Sequence, residues 1–413
     1  MNFLDMISDV ECGRLMLIYD GESYTYADMI SMAEEAAEAM RGGALGSMRV
    51  IKRACIIEQL TCFFACYVCG YIPLIVPYDD SSYEDGQLIE LREDETREKP
   101  CVAVATSGTT GEPKIYFRTY ESWAGYFHRQ NEIFMIDAGT RLFCHGSLAF
   151  TGNLNLYLGT FFEGGAVIAS DKLSPEIWLQ DISEANMIYL IPSKLIVLSG
   201  WSGKKYENIR MILSGSQSLG REDCDRLKEL FPRTEILLYY GASELSYITY
   251  VRDKDMTDDR NLVGTPFPDV RVSIEDGRIC VDTKWHVTGI SVPYTMSDMG
   301  YMDDDGRLYF AGRSDDIMHI RGRKISAVKV ENELMTCPLI AEAAVRPDEK
   351  QRITAWVVLN GYTEDTITDI RRYISDRNNL APYERPKRII ITEALSRNDS
   401  GKIDKNRLEE RQA

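Results

Sequence analysis

Positive charge is the first thing this sequence lacks. Its 413 residues carry 47 Lys and Arg against 64 Asp and Glu, a formal net charge of −17. That leaves no basic footprint of the kind general nucleic-acid binding requires, so no nucleic-acid partner is expected. A basic stretch ahead of an apolar segment is also missing from the start of the chain, where residues 1–21 contain Asp5, Asp9, Glu11 and Asp20. The expectation is therefore a cytoplasmic protein without a secretory leader, its ten cysteines reduced. Nor is there an uninterrupted membrane span: Gln59 to Tyr78 is uncharged, but Gly70, Pro73 and Pro77 cut it into a helix of about eleven residues and a short strand, Tyr71 to Val76. Cys62, Cys66 and Cys69 have a spacing that could hold an iron–sulfur cluster. Positions i, i+4, i+7 are equally one face of a helix, and small buried thiols are the expectation. Internal repeats and low-complexity tracts are absent.

What is present is an alternation of helix and strand patterns, the mark of a parallel α/β architecture. Tyr26 to Arg41 spaces Ala and Met as an amphipathic helix. Met187 to Pro192, Ile209 to Leu213 and Glu235 to Tyr239 read as buried strands, with a helix over Arg221 to Phe231 between the last two. From Val270 short strands separated by Asp276-Gly277 and Asp305-Gly306 predict an antiparallel section. Beyond Gly312 come strands near Ala343 to Val345 and Ile353 to Leu359, a helix from Thr366 to Asn378, and a change of charge. Gly312 to Ala413 holds 19 Lys and Arg against 17 Asp and Glu, leaving 28 against 47 ahead of it. This last quarter reads as a separate domain that meets an anionic ligand or partner, or as an accident of surface composition.

Thr106 to Lys114, TSGTTGEPK, combines hydroxyls, glycines and one fixed cation. Gly108 and Gly111 allow successive N–H groups to converge on an anion, and Thr106, Ser107, Thr109, Thr110 and Lys114 add donors and charge, as a polyphosphate-wrapping loop needs. The Walker spacing is absent, since Pro113 precedes the lysine and Ile115 follows it, which excludes a P-loop NTPase. A plain Ser/Thr/Gly surface turn is the alternative. Further along, Tyr240, Gly241, Ser243 and Glu244 follow a predicted strand: a ring to lie on a base, a hydroxyl for a phosphate, a carboxylate for magnesium. Asp298 suits a ribose diol. Arg313, Asp315, the segment HIRGRKIS and a terminal turn with Lys402 complete the set.

In this order the segments resemble the adenylate-forming superfamily, which includes acyl- and aryl-CoA synthetases, luciferases and nonribosomal peptide adenylation domains. The resemblance runs from GESYTYADM at Gly21 to GKIDKNRL at Gly401 and rests on TSGTTGEPK, LSGSQ, YGASE, VGTPFPDVRVSI, SDMGYMDDDGRLYFAGRSDD and SGKIDK. It implies a large N-terminal domain, residues 1–313, of doubly wound α/β subdomains plus an antiparallel β section, and a small mobile C-terminal α+β lid, residues 314–413, hinged near Asp315. It also implies a two-step reaction with ATP and Mg2+: a carboxylic acid becomes an acyl-adenylate, releasing pyrophosphate, and a thiol then takes the acyl group. By similarity Thr106, Ser107, Gly108, Thr109, Thr110, Gly111 and Lys114 would hold the β,γ-phosphates and Glu244 the metal. Tyr240 with Gly215, Ser216 and Gln217 would take the adenine, Gly241 and Ser243 the α-phosphate region, and Asp298 with Arg313 the ribose. Lys402 would bridge carboxylate and α-phosphate, and Gly322 and Lys324 would serve the thiol step.

The chain departs from the pattern in three places. Only about eighty residues separate the YTYADM helix from TSGTTGEPK, so a shortened N-terminal subdomain is expected. Ile115-Tyr116-Phe117 replaces the usual small residue and valine after Lys114, altering the loop exit, and the proline that often opens the last motif is missing. The acid pocket is expected in His145 to Tyr157, with His145, Phe150 and Asn153 as candidates and His145 equally readable as structural. Where α-amino-acid adenylation domains place an Asp this chain has about Thr151, and no carboxylate occurs from Cys144 to Phe162. An unpaired buried ammonium is expensive, so an aryl, short acyl or fatty acid is expected over an α-amino acid. HIRGRKIS and SGKIDK look more like carrier-loading domains, pointing to an acyl or peptidyl carrier protein, with CoA as the alternative acceptor.

Overall fold

The computed structural model describes residues 1–106, 114–201, 203–320, 322–360, 366–397 and 403–408. Contacts divide the chain into two compact units. The first comprises Met1–Asp255, Pro266–Arg271 and Val281–Tyr294; the second comprises Met256–Thr265, Val272–Cys280 and Thr295–Ala413.

The first unit is built on two sheets. In one, the strands Glu235–Ala242, Met211–Gly215, Met187–Tyr189, Arg141–His145, Ala166–Ser170 and Leu15–Tyr19 lie side by side in that order and parallel, with Ser246–Arg252 and Glu22–Thr25 added antiparallel at either side. Every residue of Met211–Gly215 and Ala166–Ser170 is buried, the near-continuous apolar run that a parallel strand covered on both faces demands. In the other sheet, Met48–Ile51, Ile72–Ile75 and Val102–Thr106 run parallel, flanked antiparallel by Leu88–Ile89 and Lys114–Arg118. This is the expected α/β architecture.

The helix Tyr26–Met40 starts in a capping box of Thr25 and Asp28 and buries Tyr26, Met29, Ala33, Ala37 and Met40, a three- and four-residue spacing. The cysteine-bearing segment forms the helix Ile56–Val68, two residues longer than its pattern suggests, and then the strand Ile72–Ile75. Cys66 is fully buried among Phe63 and Phe64, and burial pushes its thiol pKa up. Among the described residues no helix is long and apolar enough to cross a membrane, and no group of three metal-capable side chains converges.

In the second unit, Asp276 and Gly277 take positive φ values of +50° and +78°, the turn geometry a two-residue hairpin requires. The strands Asp298–Met302 and Leu308–Arg313 pair antiparallel, as do Ile317–Ile320 and Arg323–Ser326. A three-stranded sheet follows. Ile340–Pro347 is antiparallel to Ile353–Leu359, which is parallel to Arg388–Ile391 across the helix Thr366–Arg377. Val330, Leu334, Ala355, Val357, Ile370 and Ile374 close one core between sheet and helices.

Candidate active site

The two ends of the hydroxyl-rich loop are register partners. Thr106 closes one strand, Lys114 opens the next, and they sit opposite each other in an antiparallel pair. Ser107, Gly108, Thr109, Thr110 and Gly111 lie outside the described residues; Lys114 is exposed. Alternation along Lys114–Arg118 then divides the strand. Ile115 and Phe117 pack into the cluster of Val50, Leu74 and Ala103, which puts Lys114, Tyr116 and Arg118 on the opposite face.

That face meets the second motif. Arg118 is 2% exposed; its Nη2 donates to the Ser243 carbonyl at 2.7 Å and its Nη1 to the carbonyls of Trp285 and Ser122, both at 3.0 Å. Burial draws the guanidinium pKa down to about 10, with Glu244 acting the other way. The Tyr116 phenol faces the side chains of Glu244 and Tyr294; its burial, and then those neighbours, raise its pKa. Strand and turn are 125 residues apart in sequence at the Arg118–Ser243 bond.

Tyr240 and Gly241 lie at the end of the strand Glu235–Ala242, and Ser243, Glu244 and Leu245 form the turn into Ser246–Arg252. Gly241 is required there, since a Cβ would stand 2.6 Å from the Ser246 carbonyl oxygen. The Glu244 carbonyl accepts from the Val287 N–H at 2.9 Å, and the Ser243 hydroxyl lies 3.0 Å from that of Thr151, at the head of the helix Thr151–Phe162. Gly215 sits beside Tyr239 in the neighbouring strand, where a Cβ would be 2.6 Å from its ring. Ser216 adopts φ +69°. Gln217 is committed elsewhere: its amide oxygen accepts from the Ser193 N–H at 2.9 Å, in the first turn of the helix Pro192–Ser199.

In the segment expected to line the acid pocket, His145 is buried. Its Nε2 is 3.0 Å from the Lys172 carbonyl oxygen, its Nδ1 is 2.6 Å from Lys194 Nζ, and its ring meets Trp178 edge-on at 4.7 Å. Burial first, and then Lys194, lower its pKa to about 4. Asn153 donates to the carbonyls of Ser147 (2.9 Å) and His145 (3.3 Å). Phe150 is 50% exposed. Burial also lowers the Lys194 pKa.

The second unit pairs Asp298 with Arg313. They are cross-strand register partners, Arg313 Nε lies 3.5 Å from Asp298 Oδ1, and the carboxylate is the buried member. Gly322, at φ +78°, turns the hairpin on which the exposed Lys324 faces His319. Lys402 and the side chain of Asp315 lie outside what the structure describes. Close by in sequence, Arg397 and Ile403 bridge antiparallel, and Lys405 Nζ binds Asp316 Oδ1 at 3.1 Å and Glu331 Oε1 at 2.9 Å.

A model of the AMP-binding enzymes matches residues 76–284, just over half the chain, and one of the AMP-binding enzyme C-terminal domain matches residues 329–402. The chain belongs to this family. It is an AMP-binding enzyme of the adenylate-forming superfamily, an acid–thiol ligase by type. An uncharacterized acyl–CoA ligase of Bacillus subtilis, YhfT, is 29% identical over 334 residues, 75% of this chain and 68% of that one. Two solved structures share the fold: MatB from Rhodopseudomonas palustris bound to ATP (TM-score 0.83, 18% identity, 98% of each chain), and the Bacillus subtilis o-succinylbenzoate CoA synthetase with its acyl-adenylate (TM-score 0.81, 22% identity, 100% and 98%).

Three residues of this AMP-binding enzyme escape motif reading: Tyr116, Arg118 and Lys194. For the first two a signal exists in KIYFR, where apolar and polar residues alternate with the period of a half-buried strand. For Lys194 none does, since a lysine in the first turn of a helix reads as solvated.

Proposed function

We propose that this AMP-binding enzyme joins a carboxylic acid to ATP, giving an acyl-adenylate and pyrophosphate, and then transfers the acyl group to a thiol. The observation that carries the reading is the clamp by Arg118. It ties the strand that begins at Lys114 to the turn bearing Ser243 and Glu244, which supports reading Lys114 as a phosphate-binding cation, Ser243 as a phosphate-binding hydroxyl and Glu244 as a metal-binding carboxylate of one site.

Two anions must meet in this chemistry, so the site's task is charge handling. Thr106, Lys114 and the loop between them bind the β,γ-phosphates. Glu244, a hard oxygen donor, is the residue that would hold magnesium, which when bound would supply positive charge to offset that of the phosphates. Tyr240, Gly215 and Ser216 form the adenine side, Ser243 addresses the α-phosphate, and Asp298 with Arg313 orients the ribose. Gln217 lies along the adenine edge, its amide oxygen held by the Ser193 N–H. The acid's carboxylate oxygen bonds to the α-phosphorus as the bond to the bridging oxygen breaks, and Lys402 offsets the charge that gathers. In the second step the thiolate sulfur bonds to the acyl carbon and AMP leaves. Turning the C-terminal segment, residues 314–413, at Asp315 withdraws Lys402 and presents Gly322 and Lys324 to the thiol.

The missing carboxylate between Cys144 and Phe162 supports an acid without an α-ammonium. Free CoA is the acceptor supported by the acyl–CoA ligase YhfT; HIRGRKIS and SGKIDK favour a phosphopantetheinyl carrier protein as the second reading. ATP–pyrophosphate exchange over a panel of acids tests the first step, and thioester formation with CoA against a purified carrier separates the acceptors. Exchange at background with every acid would contradict the proposal.

A further inference from the structure

Lys194 has no part in the activation chemistry, yet its ammonium is held partly out of water without a counter-ion. It lies 2.6 Å from His145 Nδ1 and 5.9 Å from the ring centre of Trp178, and among the described residues no carboxylate comes within ion-pair distance of it. The imidazole cannot supply the missing charge. Its Nε2 is 3.0 Å from the Lys172 carbonyl oxygen, which only accepts, so Nε2 carries the proton and Nδ1 accepts from Lys194. One N–H of the ammonium is thereby used by a neutral acceptor.

The carboxylates nearby are otherwise engaged: Asp171 holds the Tyr19 hydroxyl and Asp20 pairs with Lys172. Lys194 also occupies the first turn of the helix Pro192–Ser199, where the helix's own N–H groups make a cation unwelcome. A desolvated, uncompensated charge is costly and is kept where it meets a ligand.

Gly146 lies beside the ammonium. This residue adopts φ +104°, and a Cβ built on it would stand 3.9 Å from Lys194 Nζ and 3.5 Å from Asn153 Nδ2. The ammonium therefore lies beside His145 and Gly146, at the start of the segment expected to receive the acid. We propose that Lys194, oriented by His145, binds a second carboxylate of the substrate, so that the enzyme activates dicarboxylic acids in preference to monocarboxylic acids of the same frame. The inference rests on the adenylation reading above and adds the substrate class to it. The ammonium keeps N–H groups for a charge-assisted bond to an anion, while His145 and Trp178 hold the side chain in place.

The test is ATP–pyrophosphate exchange by the full chain with matched pairs, glutarate against valerate and isophthalate against 3-methylbenzoate. The diacid should be favoured in kcat/KM by about tenfold or more, a lower bound well inside the roughly 10⁴–10⁵ by which a site built for a polar group can reject its absence. Lys194→Met should collapse that ratio through the diacid KM, and Lys194→Arg should retain it, with thermal melts showing that both variants fold. A wild-type enzyme that favours the monoacids, or a ratio indifferent to Lys194→Met, overturns the inference and leaves the adenylation reading standing. Should Lys194→Met fail to fold, the wild-type ratio and Lys194→Gln decide. Exchange at background with all four acids overturns both.

Discussion

Arg118 joins stability to function in a single side chain. It gives three hydrogen bonds to backbone carbonyls from a position 2% exposed. Arg118→Met would strand those acceptors, at about 1–3 kcal/mol for each that water cannot reach. The expected outcome is a clear fall in melting temperature together with loss of exchange; a variant that melts as wild type would contradict the assignment. His145 makes the second residue-scale prediction. Its pKa lies near 4 in the folded chain, against about 6.5 for a free imidazole. Between those values the unfolded chain binds the extra proton, so stability falls as pH drops from about 6.5 toward 4. Lys194, Asp171 and the Lys172 carbonyl are the groups that face the ring. Denaturant midpoints at pH 7, 5.5 and 4.5 should show a shallower dependence in His145→Gln than in the wild type. Equal slopes would show that His145 is not held neutral.

At the scale of elements, the turns carry the geometry. Gly241→Ala places a methyl 2.6 Å from the Ser246 carbonyl oxygen, and overpacking of this kind costs about 1–3 kcal/mol. The turn bearing Ser243 and Glu244 should shift with it and exchange should fall. Gly13→Ala, where a Cβ meets nothing within 4 Å, is the matched control, expected to stay within about 0.5 kcal/mol of wild type. These elements also show what was legible in the sequence. The strands Met211–Gly215 and Ile353–Leu359 and the helices Arg221–Leu230 and Thr366–Arg377 stand where their patterns put them, with ends displaced by a residue or two, because burial on both faces leaves an unbroken apolar run in the strands and burial of one face imposes the helical period. The role of Lys114–Arg118 was not legible. The sequence shows an altered loop exit, but Tyr116 and Arg118 gain meaning only once the chain returns with Ser243 and Glu244. Gln217 shows a second contact that its motif does not announce: its amide oxygen accepts from the first turn of a neighbouring helix.

At the scale of the whole molecule, ordered motifs carried the superfamily, while Lys194, the side chain proposed above to select the acid, belongs to none of them. The C-terminal segment is anchored by Lys405 between Asp316 and Glu331, the latter's carboxyl pKa raised by burial. Lys405→Met would leave two carboxylates facing each other; the expected outcome is a lower melting temperature and weaker adenylation. We propose that one lysine from this segment makes the acid reactive, and Lys402→Ala assayed for both half-reactions is the decisive experiment. Exchange should fall by about a hundredfold or more, the scale of one lost electrostatic contact to a transition state, while thioester formation from supplied acyl-adenylate stays within a few-fold of wild type. Equal loss of both steps, or exchange undiminished, would contradict it.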